Sequence, residues 1–215
     1  MKSIELLTIG HELLDGRVVN KNESTISAFL LQKGLHVKRS LTIGDYLDLI
    51  SSSIQEAADR CDVLIVTGGL GPTEDDITRD GIASAAGQPL VLNNDALIQI
   101  KAYYQNSSRI MPESNKKQAY FPEGANVLSN KQGTAPSFYI TLNNCLIVSL
   151  PGVPKELHSI LENRGIEVIF DHLKIDINEP KESLVKCFGL GESAIQDLLK
   201  QLYPLPDGIE LSFQS

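Results

Sequence analysis

The sequence predicts a three-layer α/β domain built on a mostly parallel, doubly wound sheet, followed by a small, incomplete α+β module. Three observations predict it. Strand-like apolar runs alternate with helical patterns from residue 3 into the 150s. Glycine- and aspartate-rich turns follow the apolar runs. The pattern then weakens over residues 164–180 before a short unit resumes.

In chain order, SIELLTI at 3–9 reads as a strand, Glu23 to Lys33 as a helix, Leu35 to Thr42 as a strand, and Leu47 to Ala58 as a helix. VLIVTGG at 63–69 gives the next strand. It precedes a helix from Ile77 to Ala86 and a longer one from Asp95 to Gln105. Asn143-Asn144 predicts a hairpin turn into a strand at 145–150, and Pro154 suits a first helical turn. Such alternation implies right-handed crossovers, two helices on each sheet face, and ligands at the carboxyl ends of the strands. Past the weak stretch, LVKCFGL, ESAIQDLLKQL and IELSF predict a strand, a helix and a strand. One unit of that kind buries little apolar surface alone, so it reads as part of a truncated second domain. The expected division is 1–167 and 168–215.

Composition narrows the function classes. The hydrophobic fraction of 42% and the charged fraction of 21% are those of a globular protein, and no apolar stretch reaches membrane-spanning length. The interrupted amino terminus fails as a signal peptide, which places the protein in the cytoplasm. A net charge of −8 argues against a broad nucleic-acid surface. Cys61, Cys145 and Cys187 read as reduced thiols without metal-ligand spacing.

Chemistry concentrates in four loops. VLIVTGGLGPTEDDIT carries Gly68, Gly69 and Gly71, then Pro72, Thr73 and the acidic run Glu74, Asp75 and Asp76 before a helix. Glycines let the backbone approach a ligand closely, and amides at a helix mouth donate to phosphate oxygens. Carboxylates beside such amides make sense where a divalent cation bridges them to a diphosphate. The plainer alternative makes Asp76 a helix cap. GHELLDGRVVNKN places His11 and Glu12 at the end of the first strand, with Asn20 and Asn22 before the next helix; Asn22 could simply cap it. Asp45 follows the second strand and could likewise be a cap. NKQGTAPSF offers Lys131, Gly133, Thr134 and Ala135 to a phosphate or ribose, and SLPGVPKEL offers Pro151 and Gly152.

Together, GHELLDGRVVNKN, GGLGPTEDDIT, KQGTAPSF and LPGVPKEL resemble the amino-terminal domain of the competence/damage-inducible CinA family over residues 1–165. The resemblance implies the molybdopterin-binding fold of MoaB and MogA, and a divalent-metal-dependent ADP-ribose pyrophosphatase. CFGLGESAIQDLL resembles the KH-type module that follows in CinA proteins, although its GLGE lacks the basic residues of a nucleic-acid clamp. The nicotinamide-nucleotide amidohydrolase domain of longer members has no counterpart in this sequence.

Pterin adenylyltransferases carry a GGTG loop ending in Arg-Asp-Val-Thr or similar. Here Leu70 replaces the Thr and Asp75 the Arg, while Asp76 and Thr78 match; Asp45 matches their other functional aspartate. The exchange of a cation for a carboxylate favours metal-assisted hydrolysis over adenylyl transfer. The expected roles follow from this. Asp76, Asp75 and Glu12 hold Mg, Mn or Co; Gly68, Gly69, Gly71, Pro72 and Thr73 hold phosphates; Lys131 offsets charge on the leaving phosphate. Asn20, Asp45, Gly133, Thr134, Ala135, Pro151 and Gly152 complete the nucleotide site. The alternatives are a molybdopterin-binding protein or adenylyltransferase of the MoaB/MogA type, and a non-catalytic nucleotide-sensing or docking module. The exposed sheet edge and apolar surface expected of an incomplete second module predict a homo-oligomer, a dimer or larger.

Overall fold

The computed structural model describes residues 2–176, 180–181, 183–209 and 211–213. The chain divides into two compact units, 1–180 and 181–215. The first opens with β1 (Ile4–Ile9), α1 (His11–Leu14), α2 (Lys21–Gln32), β2 (Val37–Ile43), α3 (Leu47–Ala58) and β3 (Val63–Thr67). It continues with α4 (Thr78–Ala86), β4 (Leu90–Leu92), α5 (Asn94–Asn106), a 3-10 segment (Glu113–Ala119), β5 (Tyr120–Pro122) and β6 (Asn126–Leu128). It closes with β7 (Ser137–Leu142), β8 (Cys145–Leu150), α6 (Pro154–Ile160), a π-helical turn (Leu161–Gly165) and α7 (Ile166–Leu173).

The main sheet runs β2-β1-β3-β8-β7-β6. Its first four strands are parallel, and β7 and β6 continue it antiparallel. Every residue of β1, β3 and β8 is buried, because helices cover both faces; that is why these strands read as continuous apolar runs rather than alternating ones. On one face Ile50, Ile54, Ala57, Ile82 and Ala85 of α3 and α4 pack on Leu7, Leu64, Val66 and Ile147, with Ala96 and Ile100 of α5 alongside. On the other, Ile26 and Leu30 of α2 join Leu157 and Ile169 of α6 and α7 over Leu6, Ile65 and Val148. The one buried carboxylate of β1, Glu5, is held by Arg60 through Nε at 3.0 Å and Nη2 at 2.8 Å. Asn143 and Asn144 take positive φ values of 49° and 67° and turn β7 into β8, as their side chains tolerate.

Several expectations need correcting. β4 and β5 form a separate antiparallel pair that the sequence pattern does not announce, three residues being too few for a period. The boundary expected after residue 167 cuts through α7, whose Val168, Ile169, Phe170 and Leu173 are buried in the core of the first unit. In the second unit, α8 (Glu192–Leu199) forms, but residues 183–190 and 211–213 make no strand. Leu184, Val185 and Phe188 are exposed there, so the apolar positions that suggested a strand find no sheet to cover them. Glu210, within the other expected strand, lies outside the described residues. No described helix is long and apolar enough to cross a membrane.

Candidate functional site

Parallel strands send all their carboxyl ends to one edge, so the loops after β1, β2, β3 and β8 meet there. β7 runs against β8, which brings the 129–136 loop to the same edge. The loops are in backbone contact. Gly68, at φ 104°, lies so close to the β1 exit that a Cβ would stand 2.1 Å from the Ile9 carbonyl. Gly152 lies against Gly68, its Cβ position 3.5 Å from the Gly68 Cα.

The amino terminus of α2 ties this edge together. Asn20 caps α2, accepting from the Glu23 amide at 3.2 Å, and its amide group reaches the hydroxyls of Thr8 on β1 and Thr42 on β2. Asn22, which the sequence suggested as the cap, is instead buried. It donates to the Thr67 hydroxyl at 3.2 Å and the Gly152 carbonyl at 2.8 Å, linking β3 to the loop after β8. Four parallel strands are thus joined at their carboxyl ends by two asparagines.

Asp45 caps nothing either. Its Oδ2 accepts from the His11 amide at 2.9 Å and lies 2.8 Å from His11 Nδ1, while its own amide is 3.0 Å from that nitrogen. One ring nitrogen cannot donate to the carboxylate and accept from the amide at once. The pair therefore has two hydrogen-bonded forms, set by whether Nδ1 carries the proton.

The glycine-rich turn holds the acidic residues. Gly71 leaves no room for a side chain, since a Cβ would fall 2.3 Å from Asp76 Oδ2. That oxygen accepts from the Thr73 amide at 2.9 Å, and the Thr73 hydroxyl sits between Asp76 and Asp75. The bond from Thr73 holds the Asp75 carboxyl below the usual range, helped by the charges of Lys117 and His11. The N-cap of α4 is Ile77, without a side-chain cap, so Asp76 closes the turn instead of capping the helix.

The expected trio of metal ligands is not assembled. Among the described residues no group of three or more His, Cys, Asp or Glu side chains converges on one point. Glu12 folds back instead, its carboxylate 2.7 Å from where a Gly10 Cβ would lie. What the turn offers is the pair Asp75 and Asp76.

Gly133 faces not open space but Glu156, whose carboxylate would lie 2.3 Å from a Cβ at 133. Asn130 fixes this arrangement. Its oxygen accepts from the amides of Gln132 and Gly133 at 2.9 and 3.0 Å, and its amide group donates to Ala135 and Glu156. The amide of Gly133, expected at the ligand, is therefore spent on Asn130, while Lys131 is exposed and Thr134 half-buried. Pro151 is buried and its carbonyl accepts from the Thr67 hydroxyl at 3.1 Å. Sequence reasoning gave Asn22 only a cap's role and missed Thr67, Asn130 and Glu156; of the three, only Glu156 carries a local signal, an acid in the first turn of a Pro-started helix. Grooves of about 360 and 330 Å³ lie elsewhere, lined by other residues.

Burial raises the Glu156 carboxyl above the usual range, against the opposing pull of Asn130. A carboxyl whose folded pKa exceeds its unfolded value costs no stability at low pH. The cost appears as pH rises through the ordinary glutamate range and is complete above the raised value. Glu156→Gln, which keeps an acceptor for Asn130, is therefore expected to gain on the wild type in urea midpoint between about pH 4 and pH 7. Parallel urea titrations at the two pH values check the sign; a constant difference would contradict it.

The family described as "Probable molybdopterin binding domain" matches residues 5–170. A Natranaerobius thermophilus protein named "Putative competence-damage inducible protein" is 37% identical over 198 residues, covering 92% of this chain and 48% of its own. The crystal structure of the protein CinA from Thermoplasma acidophilum superposes with a TM-score of 0.71 at 35% identity, over 78% of this chain and 98% of that one. The chain belongs to the CinA family. It carries that family's MoaB/MogA-like, molybdopterin-binding-type domain. MoaB of Thermus thermophilus shares the fold of this CinA domain at 15% identity, with a TM-score of 0.56 over 83% of this chain and 100% of that one. This CinA chain spans about half the length of the curated relatives it matches.

Proposed function

We propose that the carboxyl-edge crevice binds ADP-ribose and hydrolyses its diphosphate to AMP and ribose 5-phosphate. The observation that carries this is the Asp75–Thr73–Asp76 arrangement beside the Gly68–Gly71 turn. It sets two carboxylates next to a turn whose Gly68 approaches the Ile9 carbonyl too closely for a side chain.

A divalent ion fits these residues in one particular way. Magnesium-like ions use one or two carboxylates together with substrate phosphates and water, so Asp75 and Asp76 suffice where the nucleotide supplies the remaining ligands. The ion would supply charge neutralisation of the diphosphate oxygens. The chain supplies the rest. The backbone of the turn orients the diphosphate, Lys131 approaches the leaving phosphate, and His11, its ring held by Asp45, takes the proton of the attacking water.

Incubating the purified chain with ADP-ribose and Mg, Mn or Co, and separating products by anion exchange, is expected to give AMP and ribose 5-phosphate in equal amounts. No AMP with any of the three ions would overturn the proposal. A second reading, a pterin-binding site of the MoaB/MogA type, is favoured by the family description and by Asp76 and Thr78 in the turn. Leu70 and Asp75 stand against it. A pterin bound more tightly than ADP-ribose in the same preparation would reverse the order.

A further inference from the structure

Leu70, in the middle of the glycine-rich turn, is 1% exposed, and two buried donors converge on its carbonyl. Arg79 Nη2, from the second residue of α4, donates at 2.8 Å. Gln118 Nε2, from the 3-10 segment, donates at 3.1 Å. Gln118 is itself fixed by Asn115, whose amide group donates to its Oε1 at 2.8 Å. One residue away from Gln118, Lys117 Nζ donates to the Thr73 carbonyl at 2.8 Å. Three side chains, one from the helix that follows the turn and two from a distant segment, thus hold two carbonyls of one turn.

Arg79 is an expensive way to hold a carbonyl. The guanidinium is 1% exposed, and its Nε and Nη1 have no acceptor among the described residues. Burial pulls its pKa down to about 10, against the favourable charges of Asp76 and Asp80. The Phe121 ring lies 5.9 Å from its central carbon. Enclosed charges with idle donors do little for stability, and apolar side chains of similar volume often replace them without loss. The residue therefore points to something other than stability.

The geometry of the peptide group says what that is. In a trans, planar peptide the C=O and the following N–H point in opposite directions. Tying the Leu70 carbonyl to Arg79 and Gln118 turns the Gly71 N–H away from those buried donors. Tying the Thr73 carbonyl to Lys117 does the same to the Glu74 N–H. Neither amide has an acceptor among the described residues.

We propose that Arg79 and Gln118, with Lys117, are positioning residues that fix the 70–74 turn so that the Gly71 and Glu74 amides form an anion-binding pair. The proposal rests on reading that turn as the diphosphate site. It deepens the reading by naming the donors that meet the phosphate and the groups that aim them.

Arg79→Met and Gln118→Leu in the full chain test it, by hydrogen exchange of peptides covering 68–76, by thermal melting, and by kcat and KM for ADP-ribose. Arg79→Met is expected to melt within a few degrees of the wild type. Exchange over 68–76 should nonetheless quicken by about tenfold or more, with protection elsewhere unchanged. Turnover is expected to fall about 10- to 100-fold, chiefly in kcat, because misaimed donors act on the developing charge. Gln118→Leu moves each readout in the same direction and decides the matter where Arg79→Met does not fold. Unchanged exchange over 68–76 in the folded variants would overturn the proposal, as would a uniform loss of protection in step with a fallen melting temperature. A wild type that makes no AMP removes the hydrolysis reading, while the exchange data still judge the positioning.

Discussion

Asp76→Asn is expected to lower ADP-ribose turnover by about 100-fold or more at limiting metal, with little change in the urea midpoint. The two effects separate because the carboxylate's structural task is one an amide can perform. Asp76 Oδ2 accepts from the Thr73 amide and shares the single Thr73 hydroxyl proton with Asp75, and an asparagine oxygen accepts equally well. Helix capping does not enter, since α4 begins after Ile77 without a side-chain cap. What is lost is half of the negative charge on the Asp75–Asp76 pair, and with it the means of recruiting a cation to the diphosphate. Turnover at limiting manganese beside urea unfolding measures both. Near wild-type turnover would remove Asp76 from the chemistry.

Gly68→Ala carries the largest expected cost to the fold. The position has φ 104°, and a Cβ would meet the Ile9 carbonyl at 2.1 Å. That oxygen belongs to the backbone of a buried strand and cannot swing aside. Backbone strain and the overlap together are expected to cost about 2–4 kcal/mol. Displacing the β3 exit from the β1 exit would also spoil the crevice. Gly16 provides the control: it has φ 71°, but nothing lies within 4 Å of its Cβ position. Gly16→Ala is expected to cost only about 1 kcal/mol. Equal urea midpoints for the two variants would contradict the tight convergence of the loops.

The sequence exposes the layered fold because burial on two faces makes β1, β3 and β8 uninterrupted apolar runs, and because turn residues mark each strand end. It exposes the loops at the carboxyl edge for the same reason: parallel strands must all exit on one side. What it conceals is which group each side chain meets. Asn22 is the expected cap, and only the path of the backbone gives the cap to Asn20 and sends Asn22 to Thr67, 45 residues away. Asp45 finds His11 across 34 residues, and Gln118 finds Leu70 across 48. Such pairings leave no periodic trace. Glu12 is a clear miss for a local reason, since its side chain curls over Gly10 instead of reaching the acidic turn. In the second unit, short apolar segments suggested strands, but a strand exists only where a neighbour accepts its hydrogen bonds, and the described segments have none.

The central claim is that Asp75 and Asp76 bring a divalent ion and a nucleotide diphosphate to one crevice. Isothermal titration of ADP-ribose into the full chain with calcium, used as an oxygen-seeking ion, tests it most directly. One binding event per chain is expected, requiring the ion and weakened in an Asp75→Asn, Asp76→Asn double variant that still folds. Binding of equal strength without the ion, or undiminished in the double variant, would contradict the account.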